Sequence, residues 1–252
     1  MNFYGIPQGL PFPRISKIKP PYSKPRAQHI SRKLTFPKVG EQIQIIPSYV
    51  ENAELFFANI VTSNWKQDLQ SLNYRLNHPA EKINMNKFNP LDLPRNGELV
   101  FSQYIDGNFY RAKVIQFYKD TIEFKVFYCD YGNFEMVPFQ KLRQWQKKYD
   151  NLPFQAVLCK LYNVKDNPWY RREVTEFLSD LLVNKQFSAE VKGNDNILVL
   201  DLKTEDGKST ISGELHKKNI AKPLFEEAEV NDEYYMDNFL KRDKYNIPDY
   251  LC

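Results

Sequence analysis

The chain has 252 residues, of which 42% are apolar, 15% aromatic and 26% charged, and its formal net charge is +4. This apolar content is enough to build a core, so a chain that is disordered throughout is excluded. The sequence lacks a signal peptide and any run near the roughly 20 apolar residues of a membrane span, and its three cysteines without a CxxC pair predict neither a disulfide framework nor a zinc site.

Residues 1–37 are predicted to form a basic, proline-rich and disordered arm. Residues 1–38 carry eight Lys and Arg and no Asp or Glu, and seven of the 16 prolines lie there. Proline at this density disfavours helices and central strands, so we expect an extended segment. Three interpretations are open: the arm contacts RNA or another acidic partner, it is a solvated tail with no partner, or it folds back on the acidic residues 224–252. We expect residues 224–252 to be mostly disordered.

The region between these ends is predicted to be folded, and it begins with two strands. Residues 41–46 alternate polar and apolar side chains, which predicts a strand that Pro47 ends. Residues 54–61 predict its antiparallel partner. Ser63 is then expected to cap a helix whose apolar residues recur at helical spacing and which ends before Pro79.

After an irregular connection at residues 80–96, the hydrophobic period changes to that of short strands separated by turns. Such strands are expected at 99–104, 109–117, 121–128 and 135–138, which predicts a small, bent sheet or barrel.

The last folded part is predicted to contain one more helix and several strands. The helix is expected at residues 169–183, and the strands at 154–161, 187–191, 197–202 and 209–215. The two strands at the start of the folded region are too few for independent stability. We therefore expect them to join the last three strands in a second barrel, with residues 98–150 inserted between them.

No pattern in the sequence is typical of catalysis. His29, His78 and His216 do not lie at metal-ligand spacing with a second His or Cys, and the phosphate-binding, serine-hydrolase and zinc-protease motifs are missing. Cys129 and Cys159 lie in strand patterns and are expected to be buried. We therefore expect no enzyme activity, no cofactor and no metal.

Two turns of the predicted small barrel carry four tyrosines. Tyr104 and Tyr110 lie either side of an Asp-Gly turn, Tyr128 and Tyr131 lie at a second turn, and Asn133 ends that second turn. A tyrosine cage made of these four rings, with one amide beside it, suits a methylated guanidinium, which keeps its charge but gains apolar surface. Ordinary barrel packing is the alternative interpretation of the same rings.

Several strings resemble the extended Tudor domains of germline proteins that act in the Piwi-interacting-RNA pathway. They are GELVFSQYIDGNFYRAKV (97–114), FYCDYGNFEMV (127–137), LR (142–143) and LPFQAVLCKL (152–161). The resemblance implies a mainly β fold with two or three helices, in which a Tudor SH3-like barrel is inserted into an OB-type barrel like that of staphylococcal nuclease (SN-like).

On this resemblance we divide the chain into three parts. The extended Tudor domain spans residues 38–223, with a Tudor core at about 97–150 and an SN-like part at about 38–62 plus 151–223. The arm at 1–37 and the tail at 224–252 lie outside it.

The resemblance also assigns roles to particular residues. The family's methylarginine-binding cage falls on Tyr104, Tyr110, Tyr128 and Tyr131, with Asn133 as the hydrogen-bonding amide. Asp130 and Arg111 match charged positions of the family, and we interpret them as a supporting ion pair rather than as ligand contacts.

The function that the resemblance implies is that of a non-catalytic reader. It would bind symmetrically dimethylated arginine in Arg/Gly-rich tails, most plausibly of Piwi-clade Argonaute proteins, and act as an adaptor in piRNA-mediated transposon silencing. Its expected place is the cytoplasm, in perinuclear germ granules (nuage), without a membrane partner. Two alternatives are an RNA-binding or scaffold protein that uses residues 1–38, and recognition of methyl-lysine on histones.

Overall fold

The computed structural model of the chain describes residues 34–165 and 171–221. The predictions made for the basic arm up to residue 33, for residues 166–170 and for the acidic tail lie outside the described residues. Within the described part, no helix is long and apolar enough to cross a membrane.

Along the chain, groups of strands are separated by α-helices. The strands are β1 (Gln42–Val50), β2 (Leu55–Ile60), β3 (Leu99–Gln103), β4 (Phe109–Tyr118), β5 (Glu123–Tyr128), β6 (Phe134–Pro138), β7 (Leu142–Gln144), β8 (Val157–Leu161), β9 (Phe187–Gly193) and β10 (Leu198–Leu202). The α-helices are α1 (Trp65–Asn77), α2 (Pro79–Asn84), α3 (Arg171–Leu182) and α4 (Ile211–Lys217).

Five strands form a closed barrel in the order β1-β2-β8-β10-β9, which β1 closes by pairing antiparallel with β9. Its core is almost wholly aliphatic, and α3 covers it with Val174, Leu178 and Leu182. The strands come from both ends of the folded region, which confirms the predicted joining of the first pair with the later strands. We call this unit the closed barrel.

The other five strands, β3 to β7, form a sheet in the order β6-β5-β4-β3-β7. All of them come from the chain between β2 and β8, so the predicted insertion is confirmed. We call this unit the inserted sheet. Its core consists of residues such as Val100, Val114 and Phe124, none of which is exposed to solvent.

Helix α1 connects the two units and packs on the inserted sheet. Its apolar stripe, Leu69, Leu72 and Leu76, lies against Phe101 and Phe109 in one buried cluster. A second cluster joins the units directly, because Phe57 of β2 packs on Phe127 of β5 with ring centroids 5.2 Å apart.

Two expectations about strands were wrong: that residues 209–215 form a strand of the barrel, and that Pro47 ends the first strand. Residues 209–215 form no strand, because Thr210 caps α4 by accepting a hydrogen bond from the Gly213 amide at 3.1 Å, and Ile211 and Leu215 are buried one helical turn apart. Strand β8 takes the place in the barrel that was expected for them, and it pairs parallel with β10.

The strand β1 also continues past the point where Pro47 was expected to end it. The register shifts between Pro47 and Tyr49, and a bulge of this kind tolerates a proline because it does not need every ladder hydrogen bond. The N-cap of α1 is Asn64 rather than Ser63. With α2 and α4, the described part has four α-helices where two or three were expected.

Candidate functional site

The first turn of the candidate site joins β3 to β4. The backbone N–H of Tyr104 donates to the Asn108 carbonyl at 2.8 Å, and the Tyr104 carbonyl accepts from the Gly107 amide at 3.1 Å. Gly107 adopts a φ of +79° that favours glycine. This hairpin brings Tyr104 and Tyr110 together, with ring centroids 6.3 Å apart and an interplanar angle of 84°.

The second turn joins β5 to β6. The amide of Tyr128 donates to the Asn133 carbonyl at 2.9 Å, and the amide of Gly132 donates to the Tyr128 carbonyl at 2.8 Å. The ring of Tyr131 therefore turns back on Tyr110, with centroids 5.3 Å apart and planes at 87°.

The structure brings all four predicted tyrosines into one cluster. The ring of Tyr128 lies 5.5 Å from that of Tyr104 and 6.2 Å from that of Tyr110, and both pairs are nearly perpendicular. Only 1% of Tyr128 is exposed, whereas the other three rings are partly exposed. The tyrosine cage thus has one buried ring and three rings that reach the surface. Nearly perpendicular rings at these distances are a favourable edge-to-face arrangement of aromatic pairs.

The fifth predicted residue, Asn133, lies at the end of the second turn and is half-buried. Its backbone carbonyl closes the turn, and its side-chain amide has no hydrogen-bond partner within residues 34–165 and 171–221. An amide of this kind can both donate and accept a hydrogen bond, so Asn133 can serve a polar ligand beside the rings.

Three of the four tyrosine hydroxyls are held by neighbouring side chains. Tyr110 donates to Asp106 Oδ2 at 2.7 Å, the Tyr128 hydroxyl lies 3.2 Å from Ser102 Oγ, and Tyr131 accepts from Asn73 Nδ2 at 2.8 Å. These hydrogen bonds restrict the rotation of the rings, so the cage is ordered without a ligand.

Burial keeps Tyr110, Tyr128 and Tyr131 neutral at physiological pH. Burial raises the pKa of Tyr128 to about 12, and burial also raises the pKa of Tyr110 and of Tyr131 above the ordinary value. Burial alone would raise the pKa of the Asp106 carboxyl, but the hydrogen bonds that it accepts from Tyr110 and Asn108 lower it on balance. The site therefore combines neutral aromatic faces with an ionised carboxylate.

The predicted ion pair between Arg111 and Asp130 lies beneath the cage. Arg111 Nε donates to Asp130 Oδ2 at 2.9 Å, Nη2 donates to Oδ1 at 2.5 Å, and the two side chains are 0% and 2% exposed. The guanidinium also donates to the carbonyls of Tyr149, Leu152 and Pro153. Burial opposes the charge of Arg111, but Asp130 more than offsets this effect and the pKa of Arg111 is raised.

The closed barrel supports the second turn of the cage from below. Asn59 Nδ2 of β2 donates to the Asp130 carbonyl at 3.0 Å and to the Gln155 carbonyl at 2.9 Å. Gly132 lies so close to Phe57 that an added Cβ would stand 2.2 Å from the Phe57 Cβ. The second turn therefore rests directly on a strand of the other unit.

Sequence reasoning missed Asn73 and Ser102 and assigned Asp106 only to a turn. Asn73 lies on α1, and so does Asn77. The side-chain oxygen of Asn77 accepts from the Phe109 N–H at 2.7 Å, and its side-chain nitrogen donates to the Phe109 carbonyl at 2.9 Å. The available signal was a pair of asparagines spaced four residues apart on a helix with an apolar stripe. Their hydrogen-bond partners, however, lie 58 positions from Asn73 and 32 positions from Asn77 in the sequence.

The remaining candidates for chemistry are the potential metal ligands and the two cysteines of the described residues. In the described residues, no group of three or more His, Cys, Asp and Glu could hold a metal ion. Cys129 and Cys159 are buried as predicted, and burial raises the pKa of both thiols, that of Cys129 to about 12.

The chain was compared with known families and proteins. The family model of the Tudor domain matches residues 37–163. Tudor domain-containing protein 1 of Mus musculus is 27% identical over 175 residues, which are 68% of this chain and 15% of that protein. The chain thus corresponds to a small part of the curated relatives that it matches.

Solved extended Tudor domains have the same fold. One from mouse TDRD1, in complex with a MILI peptide containing dimethylarginine, has a TM-score of 0.68 and 22% identity and covers 79% of this chain and 100% of its own. One from human TDRD1, with a symmetrically dimethylated peptide, has a TM-score of 0.62 and 24% identity, covering 74% and 92%. One from Drosophila melanogaster Papi, with a Piwi N-terminal peptide, has a TM-score of 0.63 and 16% identity, covering 73% and 100%.

Proposed function

The chain belongs to the Tudor domain family, and from this premise we propose that its tyrosine cage binds a methylated arginine side chain of a partner protein. The carrying observation is the cluster of four nearly perpendicular tyrosine rings, of which three reach the surface. A cation between such faces is attracted by the ring quadrupoles, by about 0.5–2 kcal/mol for each good contact.

The chemistry of the cage favours methylarginine over unmodified arginine. Methylation leaves the positive charge in place, but it replaces N–H donors by apolar surface that aromatic rings bind well. The free amide of Asn133 is the group beside the cage that is suited to one remaining N–H. Burial keeps Tyr110, Tyr128 and Tyr131 neutral, so their rings offer an uncharged aromatic surface to the ligand.

We further infer that the natural ligand is a symmetrically dimethylated arginine in an Arg/Gly-rich tail, most plausibly of a Piwi-clade Argonaute. The support is indirect: structurally similar domains have been solved with a dimethylarginine MILI peptide and with a Piwi N-terminal peptide. In this proposal the chain is a non-catalytic adaptor in piRNA-mediated transposon silencing, and it acts in the cytoplasm at perinuclear germ granules.

Calorimetric titration of the full chain tests the proposal. The probes are one Arg/Gly-rich peptide carrying a single arginine in three forms: unmodified, symmetrically dimethylated and asymmetrically dimethylated. We expect the symmetrically dimethylated peptide to bind at least tenfold more tightly than the unmodified one, and we expect Tyr110→Ala to abolish this difference.

A matched control lies on the same strand. Tyr118 is also an exposed tyrosine of β4, but it lies at the other end of the strand from the cage, so Tyr118→Ala should bind like the wild type. Equal binding of all three peptides would contradict the proposed recognition of methylarginine. Binding that instead depends steeply on salt and is lost on deletion of residues 1–38 would favour the RNA-binding or scaffold alternative.

A further inference from the structure

The β3–β4 turn places an acidic side chain directly against one wall of the tyrosine cage. Asp106 Oδ2 lies 2.7 Å from the Tyr110 hydroxyl, which donates its proton to the carboxylate. The other two contacts of Asp106 come from Asn108, whose backbone amide and side-chain amide donate to it at 2.9 and 3.0 Å. All three contacts are hydrogen bonds from neutral donors.

The carboxylate of Asp106 is exposed and keeps its charge. No ion pair joins it to a Lys or Arg anywhere in the described part of the chain. Lys82 lies near the same turn, but its ammonium group donates to the Gly107 carbonyl and to Asn108 Oδ1, at 3.2 and 3.1 Å, rather than to Asp106. The negative charge at the cage is therefore only partly offset.

We propose that Asp106 is a specificity-determining residue of the cage: its carboxylate selects a cationic ligand, and its hydrogen bond sets the orientation of the Tyr110 ring. This inference rests on the proposed function, because it concerns the same ligand. It adds to the four rings and the amide a charged group that distinguishes a guanidinium from a neutral side chain of the same shape.

Two physical effects act in the same direction. A carboxylate near the cage attracts a guanidinium by Coulomb's law, and the attraction is strengthened where the ligand displaces water. A hydroxyl that donates to an anion also polarises its own ring, which makes the π face of Tyr110 more negative and a better partner for a cation. Salt weakens the first effect, since the carboxylate is exposed, but has little influence on the second.

The two effects can be separated by substitution. Asp106→Asn removes the charge but keeps an oxygen that can accept from the Tyr110 hydroxyl. Tyr110→Phe keeps the aromatic ring and the carboxylate but removes the hydrogen bond between them. Asp106 is exposed, and so is its hydrogen bond with the Tyr110 hydroxyl, so neither variant removes a group from the core. Thermal unfolding should therefore give the same Tm as the wild type within a few degrees.

The matched control for the charge is Asp120→Asn. Asp120 is an exposed aspartate in the turn between β4 and β5. The strand β4 runs from Phe109 to Tyr118, so this turn lies about 30 Å from the cage at the usual rise per residue. That distance is several times the screening length of about 10 Å at 0.1 M salt. The two variants change the net charge of the protein equally.

The experiment is calorimetry of the full chain with the symmetrically dimethylated and the unmodified Arg/Gly-rich peptide, at 0.05 and 0.3 M NaCl. A third peptide carries citrulline, which is neutral and nearly isosteric with arginine, in place of the modified residue. We expect Asp106→Asn to weaken binding of the dimethylated peptide about three- to tenfold at low salt and less at high salt. Asp120→Asn should leave the affinity unchanged.

Selectivity gives the second measurement. The ratio of the affinities for the dimethylated and the citrulline peptide should fall in Asp106→Asn, whereas a purely structural role of Asp106 would weaken both peptides equally. Tyr110→Phe should weaken the dimethylated peptide about two- to fivefold and leave the salt dependence as in the wild type.

The outcomes separate this inference from the function on which it rests. If the wild type prefers the dimethylated peptide and Asp106→Asn behaves like Asp120→Asn, Asp106 is no specificity determinant, but the proposed methylarginine binding by the cage stands. If the wild type shows no preference for the dimethylated peptide, the proposed function is wrong, and the inference is wrong with it.

Discussion

The closed barrel and the inserted sheet are built from the same number of strands, yet their exposed ends differ. The closed barrel fills its interior with aliphatic side chains and pairs its buried Lys160 with Glu54 at 2.9 Å. The inserted sheet places tyrosines at one end, where two turns leave three rings partly exposed. The interior of the closed barrel is filled by these side chains and leaves no room for a ligand, whereas the partly exposed rings of the inserted sheet form a surface that a ligand can reach.

The difference indicates a division of roles. The closed barrel supplies rigid backbone on which the second turn of the cage rests, through Phe57 and Asn59. The inserted sheet supplies the aromatic surface. Four predictions test whether the two units depend on each other in this way, and they follow from the largest expected effect to the smallest.

The largest effect is expected for the ion pair at the junction. Arg111→Met should lower the free energy of unfolding by about 3–5 kcal/mol, because it leaves Asp130 buried without its partner. Urea unfolding followed by tryptophan fluorescence measures the loss. The control is Arg172→Ala in the closed barrel's helix α3, where the Arg172–Glu176 pair is 86% and 65% exposed and should matter little. An Arg111 variant as stable as this control would contradict the structural role of the pair.

The contact between the units is tested at Gly132. Gly132→Ala should destabilise by about 2–4 kcal/mol, since it combines a strained φ of +82° with an overlap on Phe57. Gly107→Ala is the matched control, because Gly107 has a φ of +79° and nothing within 4 Å of the added Cβ. It should therefore lose only about 1–2 kcal/mol. Equal losses in urea unfolding would show that the two units do not constrain each other at this position.

The buried thiols of Cys129 and Cys159, one in each unit, should make the stability of the protein depend on pH in the alkaline range. The folded pKa of Cys129 is raised to about 12 by burial, and an unfolded thiol ionises near pH 8.5–9. The unfolded state therefore releases a proton first, so stability is full below about pH 9 and falls as the pH rises toward 12.

At pH 10 the contribution of Cys129 to this loss is roughly 1.5–2 kcal/mol. Urea unfolding at pH 7.5 and pH 10 should show a smaller loss for Cys129→Ala than for the wild type. Cys159→Ala in the closed barrel should behave likewise, because burial also raises the pKa of that thiol. The same pH dependence in all three proteins would contradict the burial of these thiols.

The smallest effect is expected at Tyr131. Tyr131→Phe removes the hydroxyl that accepts from Asn73 at 2.8 Å but keeps the ring, so the free energy of unfolding should fall by about 1 kcal/mol. Affinity for the dimethylated peptide should fall only slightly. Asn73→Ala should have a similar effect, and the double variant should be no worse than either single one, because the two changes remove the same bond. Additive losses would contradict this link between α1 and the cage.

How far the sequence predicts the fold depends on the range of the contacts involved. The alternation in residues 41–46, the apolar residues in 54–61 and the apolar spacing of α1 are local signals, and each gave the correct element. Residues 209–215 misled because ISGEL alternates apolar and polar residues in part, while the bond from Gly213 to Thr210 and the burial of Leu215 favour a helix. The place of β8 in the closed barrel depends on its pairing with β2 and β10. The residues of β8 by themselves do not indicate which strands it pairs with.

By itself, the sequence determined which residues could form the cage. The Asp-Gly turn brings Tyr104 and Tyr110 together by local geometry, whereas the pairing of β4 with β5 brings these rings to Tyr128 and Tyr131. The tertiary structure decided what holds those rings in place: Asn73 on α1, Ser102 on β3, and the carbonyls around Arg111. Asn73 lies 58 positions from Tyr131 and Ser102 lies 26 positions from Tyr128, and a side-chain hydrogen bond across such a separation exists only once tertiary packing has set the distance.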